Sequence, residues 1–401
     1  MTDDTVRAAQ AIGAPILVAT IVGCGLSLTI ALLAVRLDQA GFSARAIGLN
    51  TAAGGVATLL SAPLVPWAAR RIGVATLLAA SLILGGVALL GFTLTADYSA
   101  WLVLRFVTGV SVTVMFILSE VWITAGAPPG RGGLAISIYV TALAAGFAAG
   151  PLLLGLTGTA GDLPFYLSAG LFVGAAAPLA FTARDAPRLE TRSRTNVLGF
   201  LREAPAPTLA ALLHGAIEVG CLALLPVYAL RSSLTPGQGA LFASLFVLGG
   251  SVLQLPIGVL ADRFDRRRLL VALAAAGGAA AIVLAQMGAA APLAFEIALL
   301  IWGGIVGALY PVSLGLLGTL YRDADLAGAN AANVMAYAVG MLIGPPLLGA
   351  GMDLVQPGGL FWAIAGLCLL YLAVATPLLW RLGRMQASSA TAPRRPRAGS
   401  G

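Results

Sequence analysis

Long apolar stretches dominate this chain and leave it few ways to fold. A helix needs about 20 apolar residues to cross the hydrocarbon core of a membrane. The mean hydropathy of +0.95 leaves too little polar surface for a soluble domain, and the continuous stretches lack the alternation of barrel strands. We therefore predict an all-α membrane protein with twelve transmembrane helices, near residues 12–35, 46–68, 73–93, 100–122, 132–157, 163–183, 208–229, 238–260, 268–287, 292–320, 327–352 and 358–380.

The distribution of arginine predicts how the chain lies in the membrane. All 23 basic residues are arginine. Arg36, Arg45 and Arg231 fall on one side and Arg105 lies inside a span, whereas the others fall at the N-terminus, in alternate loops and in the C-terminal tail. Because basic loops stay in the cytoplasm, we expect both termini to be cytoplasmic. The chain starts "MTDDTVRAAQ", acidic where a signal peptide is basic, so we expect the first helix to be retained.

Missing and rare residue types exclude several kinds of chemistry. Without any Lys, the chain cannot form the phosphate-binding loop of an ATPase or a Schiff base. Cys24, Cys221 and Cys368 are too scattered for a metal cluster. We expect no cofactor and no metal, and we attribute the net charge of +7 to membrane topology rather than to a nucleic-acid partner. A membrane-embedded enzyme or receptor stays open as an alternative, although few residues could build a catalytic site.

A helix motif occurs twice and predicts an internal repeat. "GFAAGPLLLG" (146–155) and "GMLIGPPLLG" (340–349) both read G-x-x-x-G-P-x-x-x-G, 194 residues apart. Glycines four residues apart let a neighbouring helix approach closely, and the following proline bends the helix. The key positions are Gly146, Gly150, Pro151, Gly340, Gly344 and Pro345.

The offset between the motifs also defines a domain organisation. Shifting Arg70 and Arg71 by the same 194 residues reaches a second charged segment at 264–265. We therefore predict two six-helix halves, related as parallel repeats around a central cavity. The predicted divisions are residues 1–183, a cytoplasmic linker at 184–207, residues 208–384, and a disordered tail at 385–401.

The second charged segment, "GVLADRFDRRRLL" (258–270), resembles a family signature. It is similar to the G-x-L-a-D-R-x-G-R-R loop of the major facilitator superfamily, with Asp265 where Gly is usual. The matching residues are Gly258, Asp262, Arg263, Arg266 and Arg267. "RFVTG" (105–109) resembles the helix 4 motif R-x-x-q-G, and "GFAAGP" resembles the helix 5 motif of the proton-coupled efflux branches. The first-half loop, "VPWAARRIG" (65–73), departs from the signature because Arg70 replaces the expected acid.

This resemblance implies a monomeric secondary transporter of a bacterial cytoplasmic membrane, with helices 1, 4, 7 and 10 around the cavity. Orientation explains the arginines of the charged segment but not its acids. Asp262, at the end of helix 8, could accept hydrogen bonds from the start of helix 11 near residue 327. We predict that Asp262 and Arg263 form a latch that must break when the cytoplasmic side opens.

Charges inside spans indicate functional residues because they are costly in hydrocarbon. His214 and Glu218 are four residues apart and share a helix face. They are the predicted proton-coupling pair, with Arg105 as a counter-charge or relay partner, although a buried pair could instead only fix helix packing. Glu120 and Glu296 lie near helix ends, where we expect them to reach the headgroups.

Two aromatic residues of the tenth span complete the predicted site. Trp302 and Tyr310 could stack on a substrate or simply pack. Few fixed charges lie on the cavity helices, which favours export of a small amphipathic or apolar molecule coupled to protons. Uptake of a small metabolite or organic anion bound at Arg105 remains the alternative.

Overall fold

The computed structural model describes residues 3–127, 132–187, 205–288, 292–321, 323–356 and 358–391. The regular elements of this part of the chain are helices. In chain order they are α1 (Asp3–Gln39), α2 (Ala44–Ser61), α3 (Val65–Ile72), α4 (Val74–Gly91), α5 (Tyr98–Gly126), α6 (Gly132–Thr157), α7 (Leu163–Gly174), α8 (Ala177–Thr182), α9 (Pro205–Arg231), α10 (Pro236–Arg263), α11 (Arg266–Met287), α12 (Pro292–Gly307), α13 (Leu309–Leu320), α14 (Asp323–Leu354) and α15 (Gly359–Thr391), with a 3₁₀ turn at Ala183–Asp185.

The apolar helices match the prediction of twelve spans. In the described residues, 11 spans are long and apolar enough to cross a membrane, and α2 with α3 forms a bent twelfth. Some spans begin where a side chain satisfies a free backbone N–H group. Ser43 caps α2, Asp97 caps α5, and Thr235 forms a capping box with Gln238 at the start of α10.

Three spans that the sequence predicts to be continuous are broken in the structure. The second span bends by 63° between α2 and α3, the sixth is divided into α7 and α8, and the tenth into α12 and α13. Pro66, Pro178 and Pro311 lie in the first turn of the helix after each break. A proline has no N–H to donate to the preceding turn and clashes with it, so each stretch restarts as a new helix.

The repeated motif produces the same packing in both halves. A side chain at Gly146 would overlap the Thr20 carbonyl of α1, and one at Gly340 would overlap the Leu212 carbonyl of α9. Gly150 and Gly344 make the next close contacts along the same helix pairs. α6 therefore packs on α1 as α14 packs on α9, which supports the parallel repeat. Both helices continue through Pro151 and Pro345.

The third glycine of each motif lies between the halves. Gly155 faces Ala240 of α10, whose Cβ is 3.5 Å from the position of an added Cβ, and Gly349 packs against the backbone of Ala44 in α2. Gly48 of α2 likewise packs against the carbonyl of Pro345. The pairs α2 with α14 and α6 with α10 thus join the two halves. These contacts lie toward the end of the bundle opposite the chain termini.

The structure describes only part of the predicted linker and tail. The central portion of the linker lies outside the described residues. At the C-terminus, α15 runs to Thr391, so helix replaces the start of the tail predicted to be disordered. The apolar alanine-rich and leucine-rich stretch simply continues its helix into the polar segment.

Candidate functional site

Four side chains from three helices meet in the C-terminal half. His214 Nε2 lies 3.3 Å from Glu218 Oε2, as expected for residues four apart on α9. The Tyr337 hydroxyl of α14 donates to the same Glu218 oxygen at 2.8 Å. The ring of Tyr310 in α13 lies 5.8 Å from that of His214 and 5.5 Å from that of Tyr337, measured between centroids. We call His214, Glu218, Tyr310 and Tyr337 the carboxylate cluster.

The sequence predicted three members of this cluster and missed Tyr337. Its place follows from the close approach of α9 and α14, since a side chain at Gly215 would overlap the Tyr337 carbonyl. Tyr337 lies three residues before Gly340, so the motif itself was the available signal. His214 is further fixed by a contact of 3.2 Å between Nδ1 and the Val306 carbonyl of α12.

Glu218 is held by the cluster but remains reachable. About 32% of its side chain is exposed, compared with 10% for His214. The carboxylate of this intramembrane pair is therefore partly accessible. Nearby in the chain, Asn333 Nδ2 of α14 donates to Ser313 Oγ of α13 at 3.2 Å, and both side chains are fully buried.

Glu120 lies in the last two turns of α5, and its side chain is exposed. Its expected contact with the headgroups stays a prediction.

Arg105 is separated from the carboxylate cluster. It is 5% exposed in α5, and its Nε has no hydrogen-bond partner among the described residues. Asn50 of α2 is another buried polar side chain of this half. Its amide nitrogen also has no hydrogen-bond partner among the described residues. The structure thus does not bring Arg105 next to Glu218.

Trp302 is a packing residue, which is one of the two roles that the sequence left open. It is fully buried, and its indole nitrogen donates to the Gly277 carbonyl of α11 at 2.9 Å. Its ring packs 5.3 Å from that of Phe246 and 5.7 Å from that of Phe361. Burial of the aromatic surface between α10, α11 and α15 therefore determines its position.

The charged segment between α10 and α11 forms two local ion pairs. Asp262, with 75% of its side chain exposed, pairs with Arg266 at 2.9 Å, and Arg266 also donates to the Gly315 carbonyl of α13 at 2.8 Å. Asp265 caps α11 and pairs with Arg267 at 2.8 Å. The hydrogen bonds from Arg267 hold the pKa of Asp265 below its usual range.

The latch itself stays a prediction. Arg263 is exposed and Gly258 has open space around it. The side chains at 322–327, where the helix 11 partner of Asp262 should begin, lie outside the described residues. In the first half, α3 exposes Arg70 and Arg71, with Arg71 stacked 5.2 Å from the Trp67 ring centroid.

An ionic cluster that sequence reasoning missed joins the halves at the end opposite the termini. Arg231 of α9 donates to Asp38 of α1 and to Asp353 of α14, each at 2.9 Å. Asp353 also accepts from the backbone nitrogens of Ala44 and Arg45 at 2.9 Å, so it caps α2 of the other half. We call this end the closed end. The sequence did not indicate this cluster, because each of its residues appears there as a single polar group near a span end.

The two sets of helices, joined by the contacts at the closed end, are consistent with two six-helix repeats. The comparisons identify the family: the chain matches the Major Facilitator Superfamily over residues 16–235 and again over 208–398. The chain belongs to this superfamily, and it is a membrane transporter rather than an enzyme. The two successive matches agree with the two halves of the fold.

Relatives and solved structures cover most of the chain. YfkF of Bacillus subtilis, an uncharacterized MFS-type transporter, is 24% identical over 87% of this chain and 90% of its own. YcaD of Escherichia coli, also uncharacterized, is 26% identical over 84% and 87%. A bacterial homologue of the lysosomal transporter Spinster, inward-facing and occupied, gives a TM-score of 0.74 at 15% identity over 93% and 96%. A D-xylose-proton symporter gives 0.72 at 16% over 91% and 97%. These structures establish the fold alone.

Proposed function

We propose that this chain is a proton-coupled secondary transporter that works by alternating access. The observation that carries the proposal is the accessible Glu218 carboxylate, shared at mid-membrane between the His214 imidazole and the Tyr337 hydroxyl. Charged groups at this depth are costly and are retained for function. The superfamily membership supports transport, and the cluster supports protons as the coupling ion.

The cluster offers a route for one proton between two neighbouring bases. When Glu218 is ionised, it accepts from Tyr337 and pairs with a protonated His214. A proton on Glu218 removes that ion pair, so the cluster holds the two protonation states in different hydrogen-bonding arrangements. We assign Arg105 as a fixed counter-charge in the N-terminal half. In the present conformation it has no contact with Glu218, so any relay between them requires movement of the halves.

We further propose an orientation with both termini in the cytoplasm of a bacterium and the closed end outside. The arginine-rich loops support this orientation, in which the cavity opens toward the cytoplasm. Residues 1–183 and 208–384 then rock as two halves of a monomer, joined by the linker at 184–207. The segment containing Gly258, Asp262, Arg263, Arg266 and Arg267 gates the cytoplasmic side.

We assign export of a small amphipathic molecule as the direction and cargo class. The first repeat motif resembles that of efflux branches, and a cytoplasm-open cavity can collect its cargo inside the cell. The alternative, uptake of an organic anion at Arg105, is disfavoured by the burial of that side chain, which is 5% exposed.

A growth panel of toxic compounds tests this function without a known substrate. An efflux-deficient bacterium expresses the wild type, Glu218→Gln or Glu296→Gln at equal membrane levels. Glu296 lies on α12 toward the closed end and takes no part in the carboxylate cluster. We expect resistance to some compounds with the wild type and Glu296→Gln, and its loss with Glu218→Gln. Sensitisation by the wild type would mean uptake, and full resistance with Glu218→Gln would remove the coupling assignment.

A further inference from the structure

The short helix α3 joins two spans at one surface of the membrane. α2 and α4 have 18 residues each. At the helical rise of about 1.5 Å per residue, each is about 27 Å long, which is close to the hydrocarbon thickness of a bilayer. α3 follows α2 after a bend of 63°, and Gly73, with a φ of 90°, turns the chain into α4. The eight residues of α3 therefore lie where the hydrocarbon meets the headgroups.

One face of α3 packs on the protein, and the other is exposed. Val65 and Ala69, four residues apart, are 2% and 3% exposed. The large side chains on the remaining surface are all exposed, and they are Leu64, Trp67, Ile72, Arg70 and Arg71. Apolar side chains are unfavourable in water, and charged ones are costly in hydrocarbon. This mixture is typical of a helix that lies in the membrane interface.

The two arginines of α3 have no acidic partner of their own. In the second half, the corresponding loop pairs two of its arginines with its own aspartates, at 2.9 Å and 2.8 Å. In the first half, Arg70 stands where that signature has an acid. Neither Arg70 nor Arg71 forms an ion pair among the described residues. Their charge therefore suits an anion from outside the chain.

An apolar strip lies directly beside these charges. Leu64, Trp67 and Arg71 are three and four residues apart, so they follow one strip of the helix. The Arg71 guanidinium lies 5.2 Å from the Trp67 ring centroid. A stacked guanidinium keeps the N–H groups at its edge available to an acceptor. Arg70 is the next residue round the helix, about 100° away, and reaches the same region from the side.

We propose that α3 binds an anionic phospholipid, with the phosphate between Arg70 and Arg71 and the start of an acyl chain against Leu64 and Trp67. Phosphate oxygens accept paired hydrogen bonds from a guanidinium, and tryptophan is favoured at headgroup level. A zwitterionic lipid carries a positive group on the same headgroup, which the two arginines repel. This site is separate from the carboxylate cluster, so the inference goes beyond the proposed transport function.

Native mass spectrometry of the purified full-length protein in detergent tests the proposal. The protein is mixed with equal concentrations of phosphatidylglycerol, phosphatidylethanolamine and phosphatidylcholine that carry the same acyl chains. We expect phosphatidylglycerol to bind preferentially, and Arg70→Gln and Arg71→Gln each to weaken its binding about fivefold. Arg45→Gln is the matched control, since it removes an exposed arginine at the closed end, and it should bind this lipid as the wild type does.

Two further measurements separate a lipid from a free anion. Trp67→Ala keeps both charges and should still weaken phosphatidylglycerol binding, while an excess of glycerol 3-phosphate, the soluble part of the headgroup, should leave the lipid bound. The thermal midpoint of each variant checks that it is folded. Equal binding of the three lipids, wild-type binding in Arg70→Gln, Arg71→Gln or Trp67→Ala, an equal loss in Arg45→Gln, or displacement by glycerol 3-phosphate would overturn the proposal.

Discussion

Gly340 illustrates how a single hydrogen atom in place of a side chain sets the architecture. Its backbone lies against the Leu212 carbonyl, and its counterpart Gly146 lies against Thr20. In a membrane, helices gain little from the hydrophobic effect on association, so close van der Waals packing provides much of their stabilisation. The absence of a side chain at these glycines therefore stabilises the packed helix pairs.

Replacement of Gly340 by Ala should destabilise the protein by about 1–3 kcal/mol, because the added methyl group overlaps a backbone carbonyl that cannot move freely. The thermal midpoint of the purified protein measures this effect. Gly366→Ala is the control, because nothing lies within 4 Å of its Cβ position on α15. It should be neutral or slightly stabilising through helix propensity. A midpoint for Gly340→Ala equal to that of Gly366→Ala would contradict the packing role.

Some site residues can be predicted from one helix alone, whereas others depend on how helices pack against each other. His214 and Glu218 could be predicted because both lie on one helix, four residues apart, in a hydrocarbon setting. The position of Tyr337 beside Glu218 depends on how α14 docks on α9, which local sequence does not encode. The two roles of Trp302 stayed open for the same reason, since its helix alone does not determine which face packs on α11.

At the scale of elements, α11 depends on a side chain in the turn before it. Asp265 accepts the Arg267 backbone N–H and pairs with its guanidinium. Arg267 thereby holds the pKa of Asp265 low. A carboxyl whose pKa is lower in the folded than in the unfolded state stabilises the fold fully above the unfolded value. That contribution is lost as the pH falls through the folded value.

We expect Asp265→Ala to lower the free energy of unfolding by about 1 kcal/mol at neutral pH, the usual effect of losing an N-cap. The difference from the wild type should shrink as the pH falls through the Asp265 pKa, because the protonated wild-type side chain loses its ion pair. Chemical or thermal unfolding at a series of pH values measures it. A difference that stays constant across the acidic range would show that the ionised cap has no part in stability.

The existence and order of the spans could be predicted from the sequence, while their breaks could not. Apolar length alone identifies a span, because the bilayer imposes it. Proline breaks depend on whether neighbouring helices or solvent satisfy the freed carbonyls. Pro151 and Pro345 remain inside continuous helices, whereas Pro66 and Pro178 begin new ones. The residue type is the same, and the surroundings decide the outcome.

At the scale of the whole molecule, Arg231 fastens one half to the other. Its guanidinium pairs with Asp38 of the N-terminal half, while Asp353 caps α2 across the same boundary. Charge-assisted hydrogen bonds that are partly removed from solvent are stronger than surface pairs. We therefore expect this cluster to favour the state in which the closed end is shut. Removing one partner should shift the balance toward the opposite state.

Distances across both ends of the bundle test alternating access most directly. In a chain with its three cysteines replaced by alanine, spin labels at 96 and 355 report on the closed end, and labels at 72 and 264 on the other. We predict that Arg231→Gln lengthens the first distance and shortens the second, while Arg45→Gln, an exposed arginine of the same end, changes neither. Unchanged distances in Arg231→Gln, or opening of the closed end without closure of the other, would contradict the account.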